Sequence, residues 1–238
     1  MRALAAQLRL ELAVLARNGE SLLLTLGIPV LLLAFFANVD VLPIDGEPID
    51  FLAPGVLALA VLSTSLVNLA IATGFEREYG VLKRLGSTPL GRPRLLAAKV
   101  LSILVVEAVQ ILVLWLLALA FGWEPAVDAG FVLAVVLGTV ACGGLGLVMA
   151  GTLKALVVLA AANGAYLVLL LLSGMVIPLE ELPGAVQAVS RALPSTALAD
   201  AVRGSVTEGL AVPGRAWAVL AAWAVAAPVA AARWFRWE

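Results

Sequence analysis

The chain has 238 residues, of which 63% are hydrophobic and only 13% charged, with a mean hydropathy of +1.09 and a formal net charge of −1. Soluble domains are about half apolar and a quarter charged, so lipid must solvate much of this surface. The chain has no histidine and a single cysteine, Cys142, which excludes Ser-His-Asp and Cys-His catalysis, an intrachain disulfide and a cysteine metal cluster.

In chain order, residues 1–20 read as an amphipathic helix. At about 100° per residue, Leu4, Leu8, Leu12 and Leu15 share a face with Ala5 and Ala16, while Arg2, Arg9, Arg17 and Glu20 fall on the other side. A one-sided stripe points to a helix lying in the membrane interface; the alternative is a mere extension of the first span. Six segments then offer the roughly 20 mostly apolar residues that a spanning helix needs: 21–38, 51–75, 95–121, 131–153, 156–177 and 216–232. The first apolar run follows a charged helical segment and lacks an Ala-x-Ala-like cleavage site, so the first span is expected to be retained. The predicted fold is an all-α membrane protein in one domain, 1–238, with spans one to five in 21–177 and span six at 216–232. Spans four and five meet at a short turn around Lys154 and should form a tight hairpin.

Charge sets the expected orientation. Arg2, Arg9 and Arg17 precede the first span, and Asp40, Asp45, Glu47 and Asp50 follow it without a cation. The next link holds Arg77, Lys83, Arg84, Arg92, Arg94 and Lys99; the third holds Glu124 and Asp128; Lys154 marks the fourth, and Arg233 and Arg236 the end. The positive-inside rule then puts both termini in the cytoplasm of a cell that holds this chain in its inner membrane. The long fifth link carries Arg191, Arg203 and Arg215 outside, but long links obey the rule weakly. Trp115, Trp123, Trp217, Trp234 and Trp237 lie near span ends, as interfacial anchors should.

Two links have structure of their own. In 75–99, Val81, Leu82 and Leu85 have helical spacing beside Lys83 and Arg84, and Gly86 and Pro89 stop the helix. Such a short charged helix either docks on a cytosolic partner and passes motion to the spans, or is a solvated loop whose cations only enforce topology. In 178–204, Pro183 starts one short helix, Pro194 ends it, and a second follows. This stretch is too apolar for water and too broken to span, so its helices should dip into the outer leaflet against the bundle.

Within the spans, Glu107 lies halfway along the third, with Gln110 one turn on. It is read either as a group lining a path for cationic cargo or as a hydrogen-bonded residue between helices. Asn68 and Asn163 read as interhelical hydrogen-bond donors. Ala134, Gly138, Cys142, Gly146 and Ala150 repeat every four residues along the fourth span and let helices approach closely.

Three features together resemble the ABC-2 type permease family, in its small drug-exporter form. The stretch Phe75-Glu76-Arg77-Glu78-Tyr79-Gly80, with Leu82, Lys83, Arg84, Leu85, Thr88 and Pro89, is similar to the family's cytoplasmic coupling helix. The stretch with Pro178, Glu180, Pro183, Pro194, Asp200 and Arg203 resembles its external re-entrant helices. The order of elements resembles the family over the whole chain. The resemblance implies coupling to an ATPase through Glu76, Arg77, Glu78, Gly80, Lys83, Arg84, Leu85, Thr88 and Pro89; the polar residues Glu107, Gln110 and Asn68 are the candidates for a substrate path. It also implies a second permease, as homodimer or sister chain, above two copies of an ATP-binding cassette subunit. No Gly-x-x-x-x-Gly-Lys-Ser/Thr loop is present, so ATP and Mg2+ belong to that partner and no cofactor is expected in this chain. The expected function is export of a small amphipathic or hydrophobic compound, with lipid as the surrounding partner and no nucleic acid. The alternatives are a proton-coupled secondary transporter using Glu107 and a non-transporting membrane anchor.

Overall fold

A computed structural model describes residues 2–17, 19–36, 47–86 and 92–236, which contain helices and no strand. The helices are α1 (Arg2–Arg17), α2 (Gly19–Phe36), α3 (Pro48–Leu62), α4 (Leu69–Glu78), α5 (Val81–Gly86), α6 (Arg92–Ala120), α7 (Gly130–Thr152), α8 (Ala155–Leu172), α9 (Gly184–Ser190), α10 (Pro194–Val206) and α11 (Gly214–Trp234). A π-helical stretch, Ser63–Asn68, joins α3 to α4 without a break. Among the described residues, five helices are long and apolar enough to cross a membrane: Pro48–Glu78, Arg94–Ala120, Gly130–Thr152, Ala155–Leu172 and Gly214–Trp234. This is a multi-pass membrane protein. The expected first span is seen in part, as the shorter apolar stretch Leu26–Phe35 within α2. Its end beyond Phe36 and the acidic residues Asp40 and Asp45 lie outside the described residues.

Three span boundaries differ from the sequence expectation, each for a local reason. The second span runs to Glu78, so Phe75, Glu76, Arg77 and Glu78 belong to the long helix and not to a loop. Their charges are tolerated there because each of Glu76, Arg77 and Glu78 finds a partner on another element. The helix of the third span starts at Arg92, three residues before the expected 95, and Lys99 on it is the partner of Glu76. The fifth span stops at Leu172 and not at 177. Gly174 there turns the chain at φ +72, and the Ser173 hydroxyl accepts from the Met175 amide at 3.1 Å.

The π-helical stretch follows from its hydroxyl run. Ser63 and Ser65 donate to the carbonyls of Ala60 and Val61, which competes with the backbone ladder. The Leu69 amide consequently reaches the Thr64 carbonyl, five residues back.

The span containing α3, the π turn and α4 is the central one, with 78% of its most apolar window buried, against 17% for α8. Helix α7 lies beside it. The small-residue stripe on α7 is buried throughout and works as packing within the chain. A Cβ on Gly146 would lie 2.7 Å from the Leu66 carbonyl of the π turn, and one on Gly138 would lie 2.6 Å from Leu198 of α10. Gly144, off the stripe, admits the backbone of α11 at Ala227 and Pro228. Trp123 is 3% exposed and packs edge-on against Trp115 at 4.7 Å, so it fills the core and is not an interfacial anchor. Trp234 is 61% exposed, as an anchor requires, and Trp237 lies outside the described residues.

Candidate functional site

One end of the bundle gathers α5, the α7–α8 turn, α1 and the last residues of α11. The long central span stops at Tyr79 and Gly80. Gly80 takes φ +69, which only glycine adopts without strain, and the chain re-enters a helix at once as α5. The Gly80 amide bonds the Arg77 carbonyl, and the Gly80 carbonyl accepts from the Arg84 amide. Leu82 is the foot of α5: it is fully buried in a cluster with Leu69, Leu95, Ile103, Leu147 and Phe235. Leu85 packs at its edge. Tyr79, Val81, Lys83 and Arg84 are exposed on the outer side of the same turn and helix. The result is a small cationic knob on an apolar root.

The three charged residues before the knob are tied inward. Glu76 pairs with Lys99 of α6 at 2.5 Å, and Lys99 pairs with Glu11 of α1 at 3.1 Å. Gln7, one turn earlier on α1, donates to Glu11 at 2.9 Å. Arg77 donates to the Leu153 carbonyl at 2.5 Å, where α7 has ended in extended backbone. Glu78 accepts from the Ala155 amide at 3.0 Å, the first residue of α8. An acidic group there satisfies an orphan donor and meets the positive end of the helix dipole. The C-terminus joins the same corner, because the Arg236 amide donates to the Gly151 carbonyl. Glu76, Arg77 and Glu78 therefore brace the knob to α6, α1 and the α7–α8 hairpin, while Lys83 and Arg84 face outward. Thr88 and Pro89 lie outside the described residues.

Midway through the bundle is a buried polar layer. Glu107 and Gln110 of α6 are each 1% exposed. Thr139 of α7 donates to Glu107 at 2.5 Å, and Thr64 of the π turn donates to Gln110 at 2.8 Å. Both residues thus point between helices of the same chain. Asn68 is half-buried at the end of the π turn. Asn163 bonds the Leu159 carbonyl of its own helix and is exposed, so it does not join two helices.

A family model described as ABC-2 type transporter matches residues 2–207, from α1 to the end of α10. The chain belongs to the ABC-2 type transporter family. No curated protein matches it in a sequence search. An ABC-2 permease is the transmembrane component of an ABC transporter and is not itself catalytic.

The opposite end of the permease holds the links 121–129 and 173–213. Pro178 precedes a single 3-10 turn, Leu179–Glu181, in which Glu180 is exposed. Pro183 immediately precedes α9, and Pro194 is the first residue of α10 rather than the end of α9, which stops at Ser190. Helix α10 is the buried one. Its Thr196 hydroxyl donates to the Leu172 carbonyl, and its Arg203 donates to the Gly174 carbonyl at 3.0 Å while lying 4.2 Å from the Phe51 ring centre. Asp200 pairs with Arg215 at the start of α11 at 3.4 Å. The Ala126 and Asp128 amides bond the carbonyls of Val206 and Ser205 at the end of α10.

Glu11, Thr64 and Thr139 were not among the residues singled out by sequence. Glu11 had a signal: it falls at the i+7 position from Leu4 and the i+3 position from Leu8, inside the apolar stripe of α1. A carboxylate there must meet a cation. The two threonines had none, since a hydroxyl in a span satisfies itself on its own helix equally well.

Proposed function

We propose that this permease is the membrane subunit of an ATP-driven exporter for a small amphipathic or hydrophobic compound, such as a drug, an antibiotic or a lipid-like molecule. The observation that carries this reading is the α5 knob: an exposed cationic helix on a buried foot, braced by Glu76, Arg77 and Glu78 to four other elements. A solvated loop needs no such bracing, whereas a lever receiving force from a partner does. In this reading α5 docks on a separate ATP-binding cassette subunit that holds ATP and Mg2+, and two permeases, identical or sister chains, stand on two such subunits. The α5 end is cytoplasmic. Cations dominate it, and the opposite end carries Glu47, Asp50, Glu124, Asp128, Glu180, Glu181 and Glu208. In this reading α2 makes a sixth crossing, and α9 and α10 are the external re-entrant helices. The cargo class is supported by the aliphatic surface of α6 and α8 and by the shortness of the link 121–129.

Two measurements test this. With the permease reconstituted beside its ATPase, Val81→Asp combined with Arg84→Glu should insert normally and lower cargo-stimulated ATP hydrolysis by about tenfold, the scale of one interface anchor. Undiminished stimulation by amphipathic compounds would remove α5 from the coupling path. Stimulation by a long polysaccharide or peptide, and by no amphipathic compound, would overturn the cargo class. For orientation, Ala188→Cys on exposed α9, made with Cys142→Ala, should react with an impermeant maleimide in intact cells. Reaction only after permeabilisation would invert the topology.

A further inference from the structure

We infer that Lys99 is a positioning residue that makes α1, α4 and α6 move as one body beneath α5, so that a displacement of the knob is delivered to the interfacial helix as well as to the spans. The inference rests on the reading of α5 as the point where the ATPase pushes.

Lys99 is 2% exposed, which for an ammonium demands full pairing. Its ammonium donates to both Glu11 carboxylate oxygens, at 3.1 and 3.2 Å, and forms an ion pair with Glu76 at 2.5 Å. The three residues stand on three elements that share no turn. Glu76 is in the last turn of α4, on the near side of the Tyr79–Gly80 turn, and Lys99 is two turns into α6. Motion of α5 therefore enters α4 directly and α6 through the packing of Leu82 with Leu95, and the Glu76–Lys99 pair closes that loop. Glu11 then adds α1, which otherwise faces α6 across an open apolar groove lined by Leu8, Leu101, Leu104 and Val105. Apolar contacts slide; two carboxylates around one ammonium do not. A buried ion pair is weak evidence for stability but is well attested as a device that fixes register. Without the ammonium, Glu11 and Glu76 face each other as like charges and push α1 away.

The test uses the full permease with its ATP-binding partner, carrying Cys142→Ala and spin labels on Cys introduced at Ala13 of α1 and Ala97 of α6, both exposed. The parent protein should give one narrow distance distribution. Lys99→Met should broaden it and lower cargo moved per ATP by about fivefold or more, the low end of an allosteric coupling. Lys99→Arg should restore both readouts. Glu11→Ala, on the peripheral helix, should broaden the distribution in the same way and serves if Lys99→Met does not fold. An unchanged distribution in Lys99→Met, or in Glu11→Ala where it stands in, overturns the inference, whatever the activity. A broadened distribution with unchanged transport per ATP overturns the positioning role while leaving α5 as the contact, provided the α5 variants still lose stimulation. If the α5 variants retain stimulation, the coupling reading fails instead, and the distance data remain interpretable.

Discussion

Gly144→Val is expected to leave little correctly packed permease. A Cβ at Gly144 would stand 2.7 Å from the Pro228 nitrogen and 2.8 Å from the Ala227 carbonyl carbon. These are backbone atoms of α11, so no side-chain rotation relieves the collision. The approach is this close because neither helix offers bulk at the crossing: α7 has glycine, and α11 has Ala227 followed by Pro228, whose nitrogen carries no hydrogen. The helices must separate along their contact, which removes packing that in lipid is the main force between helices. Overpacking usually costs about 1–3 kcal/mol, and a backbone-to-backbone clash lies at the upper end. Thermal unfolding in detergent, followed by size-exclusion chromatography, should show a large loss for valine and a smaller one for alanine. Gly164→Ala is the matched control, since a Cβ there meets nothing within 4 Å; it should be neutral or stabilising by about 0.5–1 kcal/mol through helix propensity. Equal behaviour of the two sites would show that α7 and α11 do not cross at Gly144.

Arg203→Met should destabilise the permease strongly and in a pH-dependent way. The substitution removes the donor to the Gly174 carbonyl and the cation over Phe51, and takes away one of the two arginines near Asp200. Losing a hydrogen bond from a charged donor costs about 1.5–3 kcal/mol and losing a cation over an aromatic face about 0.5–2 kcal/mol more, while Arg215 keeps contact with Asp200. Burial holds the Asp200 carboxyl above its ordinary value, and Arg203 and Arg215 pull it partway back. Without Arg203 it rises further. A carboxyl raised in the folded state favours folding at low pH and loses that contribution as pH climbs through its folded value. The deficit of Arg203→Met should therefore be larger near about pH 7 than near about pH 4, measured as the difference in unfolding midpoint from the parent protein at each pH. A deficit independent of pH would mean that Arg203 acts only through Gly174 and Phe51.

The long spans were legible because apolar runs of this length have no other physical explanation, and the short helices because proline and glycine punctuate them. What escaped was set by partners far along the chain. The partner of Glu78 is the Ala155 amide, 77 positions away, and nothing in the local sequence announces it. Glu76 and Lys99 look like two loop charges until both are found on helices that face each other. The end of the second span was set too early because three charges looked like solvent, and the end of the fifth too late because 173–177 is apolar yet turns at Gly174. Glu107 was read with two roles because composition gives no partner; Thr139, on another span, supplies one. Trp123 was read as an anchor from its position alone, and only the packing of Trp115 and Phe131 around that corner shows it enclosed.

The π turn has a geometric effect on everything downstream of it. An i→i+5 bond takes up a residue more than an α-helical turn does, and each residue carries about 100° of rotation and 1.5 Å of rise. The angular phase of α4 is therefore offset from that of α3, although the two form one continuous rod. A helical wheel drawn from Pro48 through Glu78 as a single α-helix would point Glu76 away from Lys99 and Arg77 away from Leu153. The hydroxyl run Ser63, Thr64, Ser65 thus acts as the vernier of this span, fixing which compass bearing α4 presents while α3 stays keyed to α10 and Met175.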